Sequence, residues 1–230
     1  MCTMNEVEAT TPRSAPPLVP GERLDQRAFH ERYEAMPAGL KAELIGGVVH
    51  MPSPLSYQHG RLDSIAADWL SSYEVATPGV YHAINTTTIL GDDSEPQPDH
   101  QLRIDASKGG RSRIEDRYVV GPPELLLEVA QTSRTIDLGG KKADYERWGV
   151  LEYVFVGTDR DEVMWFALRA GKYHEKKADA DGIFRSEVFP GLWLDPAALL
   201  RQDRRALRAV LGEGTATAEH AAFVNRLAGH

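Results

Sequence analysis

The segment that most constrains this chain is ELLLEVA, residues 124–130, nearly all apolar and announced by Gly121-Pro122-Pro123. Such a run fits a strand buried on both faces of a sheet, so helices must cover it from two sides. Glu128 lies inside the run. A carboxylate there is costly unless it is paired, protonated or bound to a metal.

The remaining pattern supplies the layers such a strand needs. A short helix is expected over residues 24–36, then a hairpin of KAELI and VVHM turning at Gly46-Gly47. Leu62, Ile65, Ala66, Trp69, Leu70 and Tyr73 form one continuous helical stripe. VYHAINTTTIL, residues 80–90, reads as a strand, residues 99–105 as a second, and residues 106–118 as a charged loop. After the buried run come a helix over 137–148, adjacent strands LEYVFVG and EVMWFAL, and a hairpin of KYHEKK with FRSEVF. PGLWL closes the sheet region, and two helices end the chain, the second following Gly212 to Gly214. The fold class expected is α/β (α+β), a mixed β-sheet flanked by helices. In a chain of 230 residues, 42% hydrophobic, one main domain over 24–195 is expected between a flexible tail at 1–23 and a C-terminal helical extension at 196–230.

Several function classes drop out. The sole cysteine is Cys2, so neither a disulfide framework nor a cysteine zinc site exists within one chain. The first twenty residues hold no apolar h-region or membrane span, which predicts a cytoplasmic protein. A net charge of −8 argues against a protein that coats DNA generally, while suiting a site that gathers carboxylates around a divalent cation. Neither GxxxxGK[ST], GxGxxG nor GxSxG is present, and His50, His82 and His100 lack the helical HxxxH spacing.

The candidate chemistry centres on three residues. Asp99 follows Pro98 at a strand start, and neighbouring strands can bring it beside Glu128. In the helix that follows, Leu138, Lys141, Tyr145 and Trp148 share a stripe, so Lys141 faces inward and needs an anionic partner. Lys142 points elsewhere and can pair with Glu146.

The runs ELIGGVVHMPSPLSYQHG, QPD and PPELLLEVAQTSRTIDLGGKKADYERWGVLEYVFV resemble the putative restriction endonuclease family of the PD-(D/E)XK nuclease superfamily. The match is most specific where D-x-x-x-K-x-x-x-Y-x-x-x-G-V-x-E-Y follows Glu128. The resemblance implies a restriction-endonuclease-like fold and a Mg²⁺- or Mn²⁺-dependent endonuclease acting on nucleic acid, foremost DNA. It implies Asp99 and Glu128 as paired metal ligands, Glu43 as a third, and Lys141 as the catalytic lysine. Two residues after the second acid, where the superfamily pattern carries its lysine, stands Ala130. The resemblance then implies a lysine supplied by the helix, and Gln131 is a second residue that could face the site.

Lys108, Arg111, Arg113 and Arg117 are read first as solvated loop charges and second as phosphate contacts. Arg201, Arg204, Arg205 and Arg208 are read likewise, as a solvated helix face. His59 falls on the stripe of its helix and reads as packed or capping rather than as a ligand. A rival function stays open: a nuclease fold kept as an inactive interaction or DNA-binding module, with a homodimer allowed.

Overall fold

The structure is a computed structural model that describes residues 15–37, 39–51, 54–131 and 133–229. Helix α1 (Gln26–Glu34), with Asp25 as its N-cap, precedes the hairpin of β1 (Glu43–Ile45) and β2 (Val48–His50). Gly46 and Gly47 turn that hairpin at φ of 56° and 75°, backbone that favours glycine. Helix α2 (Tyr57–Ala76) is capped by Ser56 and buries every residue of the expected stripe.

The strand expected over 80–90 is instead two: β3 (Val80–Ile84) and β4 (Thr88–Ile89). Asn85, at φ 50°, breaks it and lets the second piece join another sheet. After β5 (His100–Ile104), the expected charged loop contains a helical turn at Ala106–Lys108 and then β6 (Arg113–Glu115) and β7 (Tyr118–Val120). These two strands complete a small sheet with β4.

The buried run is β8 (Leu125–Ala130), every residue of it buried. A wide π-type turn over Ile136–Lys141 leads from it into α3 (Lys142–Trp148). Strands β9 (Glu152–Gly157), β10 (Glu162–Arg169) and β11 (Lys172–Lys176) follow, with β12 (Phe184–Arg185) and β13 (Trp193–Leu194). The expected hairpin of 172–177 with 184–189 does not form: β11 pairs with β10, and β12 pairs with β13. Helices α4 (Pro196–Leu200), α5 (Arg204–Thr215) and α6 (Ala218–Ala228) end the chain.

The main sheet runs β11-β10-β9-β8-β5-β3, with β8 and β9 parallel and the other pairs antiparallel. This mixed sheet flanked by helices is the fold the sequence predicted. Strand alternation divides β8: Leu125, Leu127 and Val129 pack beneath α2, while Leu126 and Ala130 pack in a second core with Tyr145 of α3. Glu128 shares the alternation of Leu126 and Ala130 and therefore faces α3.

The terminal segments are more integrated than the sequence implied. Leu199, Leu207, Leu211, Phe223 and Leu227 belong to the core beneath α2, so the C-terminal helices share the central core. Helix α5 runs through Gly212 and Gly214 rather than stopping there; a Cβ at Gly214 would stand 2.3 Å from the Gly191 carbonyl oxygen. At the other end, Leu18 packs with Phe29, Ala42, Leu44 and Val49, which moves the start of the folded part earlier than Leu24. Residues 1–14 of the expected tail lie outside the described residues.

Candidate active site

The sheet register assembles the acids. His100 stands opposite Leu127 across the antiparallel β5–β8 pair, so Asp99, one residue earlier, falls beside Glu128. The backbone N–H of Val129 donates to Asp99 Oδ2 at 2.7 Å and fixes that carboxylate. Glu43 reaches in from the hairpin and is held by the Gln97 backbone N–H at 2.7 Å.

Lys141 closes the group from the wide turn. Its Nζ stands 3.0 Å from Glu43 Oε1, 3.1 Å from Glu128 Oε1 and 3.7 Å from Asp137 Oδ1. Tyr145, one turn further, donates to Glu128 Oε1 at 2.7 Å. The inward stripe is thus as expected at Lys141 and Tyr145. Its neighbour differs: Lys142 Nζ lies 3.8 Å from the centroid of the Phe166 ring, and Glu146 pairs with Lys172 instead. A favourable cation–π contact replaced the expected helical ion pair.

Ala130 shares the face of β8 that carries Glu128 and is fully buried against Tyr145 and Phe155. The wide turn brings Lys141 Nζ to Glu128 from the helix side. Single wide turns inside helices recur at functional sites, and Gly139-Gly140 lie within this one.

Glu43, Asp99, Glu128 and Lys141 line one cleft of about 620 Å³, together with His50, His59, Gln97, Gln131 and Asp137. Burial raises the Glu128 carboxyl well above its ordinary range, opposed by Lys141 and reinforced by Asp99, Asp137 and Glu43. Burial also raises Asp99 and Asp137. Burial alone would lower Lys141, but the carboxylates of Glu128, Glu43, Asp137 and Asp99 overrule it and raise it well above the lysine norm.

Sequence reasoning did not bring in Asp137 or Asp63, and it read His59 as packed or capping. Asp137 precedes Lys141 by four residues, a spacing that could have paired them. His59 Nε2 stands 3.8 Å from Asp99 Oδ1, and Asp63 lies one turn along α2 from His59. The loop cations stay on their own business: Arg113 pairs with Glu115, Arg117 with Glu34, Arg111 bonds the Gly149 carbonyl and Lys108 that of Leu227. On α5, Arg208 pairs with Asp68, Arg204 bonds Ser64 and Arg205 is exposed, as is Arg201 at the end of α4. Among the described residues, no helix is long and apolar enough to cross a membrane.

The donor set fits a hard divalent cation. Four carboxylates, Glu43, Asp99, Glu128 and Asp137, share the cleft with the Lys141 ammonium, while Lys41 at the exposed rim bonds Asn85, and the hydrogen bonds described occupy one oxygen each of Asp99, Glu43 and Glu128. Buried excess negative charge built from oxygen donors is what Mg²⁺ or Mn²⁺ offsets.

No curated protein matches the chain. The fold is similar to a crystal structure described as a putative nuclease belonging to DUF820, from Anabaena variabilis ATCC 29413. The TM-score is 0.56 at 12% sequence identity, covering 79% of this chain and 97% of the other. The family profile described as "Uma2: Putative restriction endonuclease" matches residues 29–197, and the chain belongs to that family.

Proposed function

We propose that this protein is a metal-dependent endonuclease that hydrolyses phosphodiester bonds of nucleic acid, with DNA as its substrate. The observation that carries this reading is the position of Lys141 Nζ, 3.0 Å from Glu43 and 3.1 Å from Glu128 in the cleft that also exposes Asp99. Asp99, Glu128 and Glu43 would hold Mg²⁺ or Mn²⁺. Bound there, the cation supplies polarisation of a scissile phosphate and a water of lowered pKa.

The chain's own groups do the rest. The Val129 N–H and the Tyr145 hydroxyl fix one oxygen each of Asp99 and Glu128, aiming both carboxylates before a ligand arrives. Lys141, kept cationic by its carboxylates, holds positive charge at Nζ where negative charge grows on the phosphate. Asp137 and Glu43 keep that ammonium in place.

Supercoiled plasmid incubated with purified protein and Mn²⁺ or Mg²⁺ should be nicked, and EDTA should stop it. Asp99→Ala and Lys141→Ala should each abolish nicking. Cleavage that survives both substitutions overturns the assignment.

One observation favours the rival, an inactive interaction module: Lys108, Arg111, Arg113 and Arg117 are engaged within the chain rather than along the cleft. Titrating DNA affinity against salt separates the nuclease from a module that does not bind DNA, and the cleavage assay separates it from one that does. A steep negative slope accompanies phosphate contact, and a flat one goes with the module.

A further inference from the structure

Asp99 and Glu128 owe their spacing to the register of one sheet, but Glu43 does not. It comes from the β1–β2 hairpin, which forms a separate two-stranded sheet. Lys141 comes from yet another element, the wide turn before α3. The 3.0 Å between Glu43 Oε1 and Lys141 Nζ therefore depends on how the hairpin and α3 are held together.

One buried residue makes that junction. Asp144 stands three residues after Lys141, about one helical turn along, and is 3% exposed. Its Oδ2 accepts from the Gly46 backbone N–H at 3.3 Å, at the hairpin turn, and from the Ser94 hydroxyl at 2.5 Å. Its Oδ1 accepts from Arg147 Nη2 at 2.6 Å, and Arg147 also pairs with Asp93. Ser94 belongs to the segment that holds the hairpin from its other side. There the Gly47 N–H donates to the Asp93 carbonyl, Leu44 and Glu95 exchange backbone bonds, and the Gln97 N–H holds Glu43. A Cβ at Gly140 would stand 3.6 Å from Ile45 Cγ2, so β1 lies directly on the wide turn. A buried carboxylate is costly unless it is bonded, and two of the three donors to Asp144 come from the parts it joins to α3.

We propose that Asp144 is a positioning residue that sets where Glu43 stands relative to Lys141, and through Glu43 the affinity of the cleft for a divalent cation. The inference rests on the nuclease reading, in which Glu43 is a ligand, and adds the device that holds this ligand in place. Asp144 does not itself line the cleft. It acts from about one helical turn away, as outer groups do when they orient the groups that bind a metal. Both junction bonds end on one oxygen, Oδ2, so the junction requires an acceptor atom there and not a charge.

Mn²⁺ affinity, read by electron paramagnetic resonance on the full chain, tests this without reference to cleavage. Asp144→Ala should weaken Mn²⁺ about tenfold, and Asp144→Asn, which keeps an acceptor oxygen for Gly46 and Ser94, should retain most of the affinity. Equal losses in the two variants would make the charge, not the junction, responsible and overturn the inference. A double-mutant comparison separates positioning from general support of the fold. With Glu43→Gln already made, adding Asp144→Ala should change the affinity by less than about twofold. A tenfold loss that persists in that background, or no loss from Asp144→Ala alone, also overturns it. Should Asp144→Ala not fold, Ser94→Ala carries the same comparison with an expected loss of about threefold, and an unchanged affinity counts against the inference in the same way. If Glu43→Gln binds Mn²⁺ as wild type does while Glu128→Gln does not, the positioning role falls and the nuclease reading stands. No Mn²⁺ binding at all overturns both.

Discussion

Two glutamates on neighbouring parallel strands are equally hidden and do opposite things. Glu128, 3% exposed, lies late in β8; Glu152, 0% exposed, opens β9, opposite Leu125. Burial raises the carboxyls of both. Glu152, however, is closed off: its oxygens accept from the Ser186 hydroxyl at 2.5 Å and the Glu187 N–H at 2.8 Å, with Lys176 Nζ at 3.7 Å. It ties β9 to the segment beyond β12. Glu128 has its two bonds on a single oxygen, three other acids as neighbours, and a cleft in front of it. Burial and a raised pKa therefore do not mark a site. Unspent acceptor capacity beside a cavity does.

The sharpest way to break this contrast is to remove each charge in turn. Glu128→Gln keeps size and shape but removes a ligand charge, and nicking by the Mn²⁺-loaded protein should fall by about 10²–10³ or more. Glu152→Gln should leave cleavage per folded molecule within about twofold, since its contacts never touch the cleft. Equal losses in a single-turnover assay of both variants would dissolve the distinction.

Next in size is the stability effect, with the order reversed. Glu152→Ala strands the Glu187 N–H and the Ser186 hydroxyl, each bonded to it. It should cost about 1–3 kcal/mol in urea unfolding. Glu128→Ala removes a carboxyl crowded by Asp99, Asp137 and Glu43 in the metal-free protein, which offsets the loss of its bonds from Lys141 and Tyr145, and it should cost less. A larger loss at Glu128 would contradict the reading of that cluster as unneutralised. Smaller again is Tyr145→Phe, which deletes only the hydroxyl that aims Glu128. Mn²⁺ affinity should drop about tenfold, with the fold's stability nearly unchanged.

Much of this contrast was legible in the sequence, and the part that was not has a physical cause. Glu128 stood out because polar residues are rare in a run like LLLEVA, and Lys141 because helical period placed it with Leu138 and Tyr145. Asp99 rested on strand placement and family resemblance together, since nothing local states that β5 pairs with β8 in a register setting it beside Glu128. Asp63 was invisible for the same reason: its partners Asp99 and His100 lie beyond another strand. The packing of α5 and α6 into the central core was equally silent, because an apolar helix face does not name what it packs against. The strand break at Asn85 escaped because β-branched residues run on past it.

The smallest expected effect isolates the structural glutamate by pH. Burial raises Glu152 above the glutamate value of 4.5 in the folded state, despite the Ser186 and Glu187 bonds. A carboxyl with a raised folded pKa gives stability that is present below its unfolded pKa and fades as pH rises through the folded value. Between the ordinary glutamate value and the raised one, wild type should lose stability with rising pH more steeply than Glu152→Gln. Unfolding in EDTA from pH 4 to 8 reads this directly, because the cleft carboxylates contribute equally to both proteins and cancel. Parallel curves would mean that Ser186, Glu187 and Lys176 keep Glu152 ionised in the fold. Glu152 would then be a fully compensated buried charge, and Glu128 the only one of the two that burial leaves unsettled.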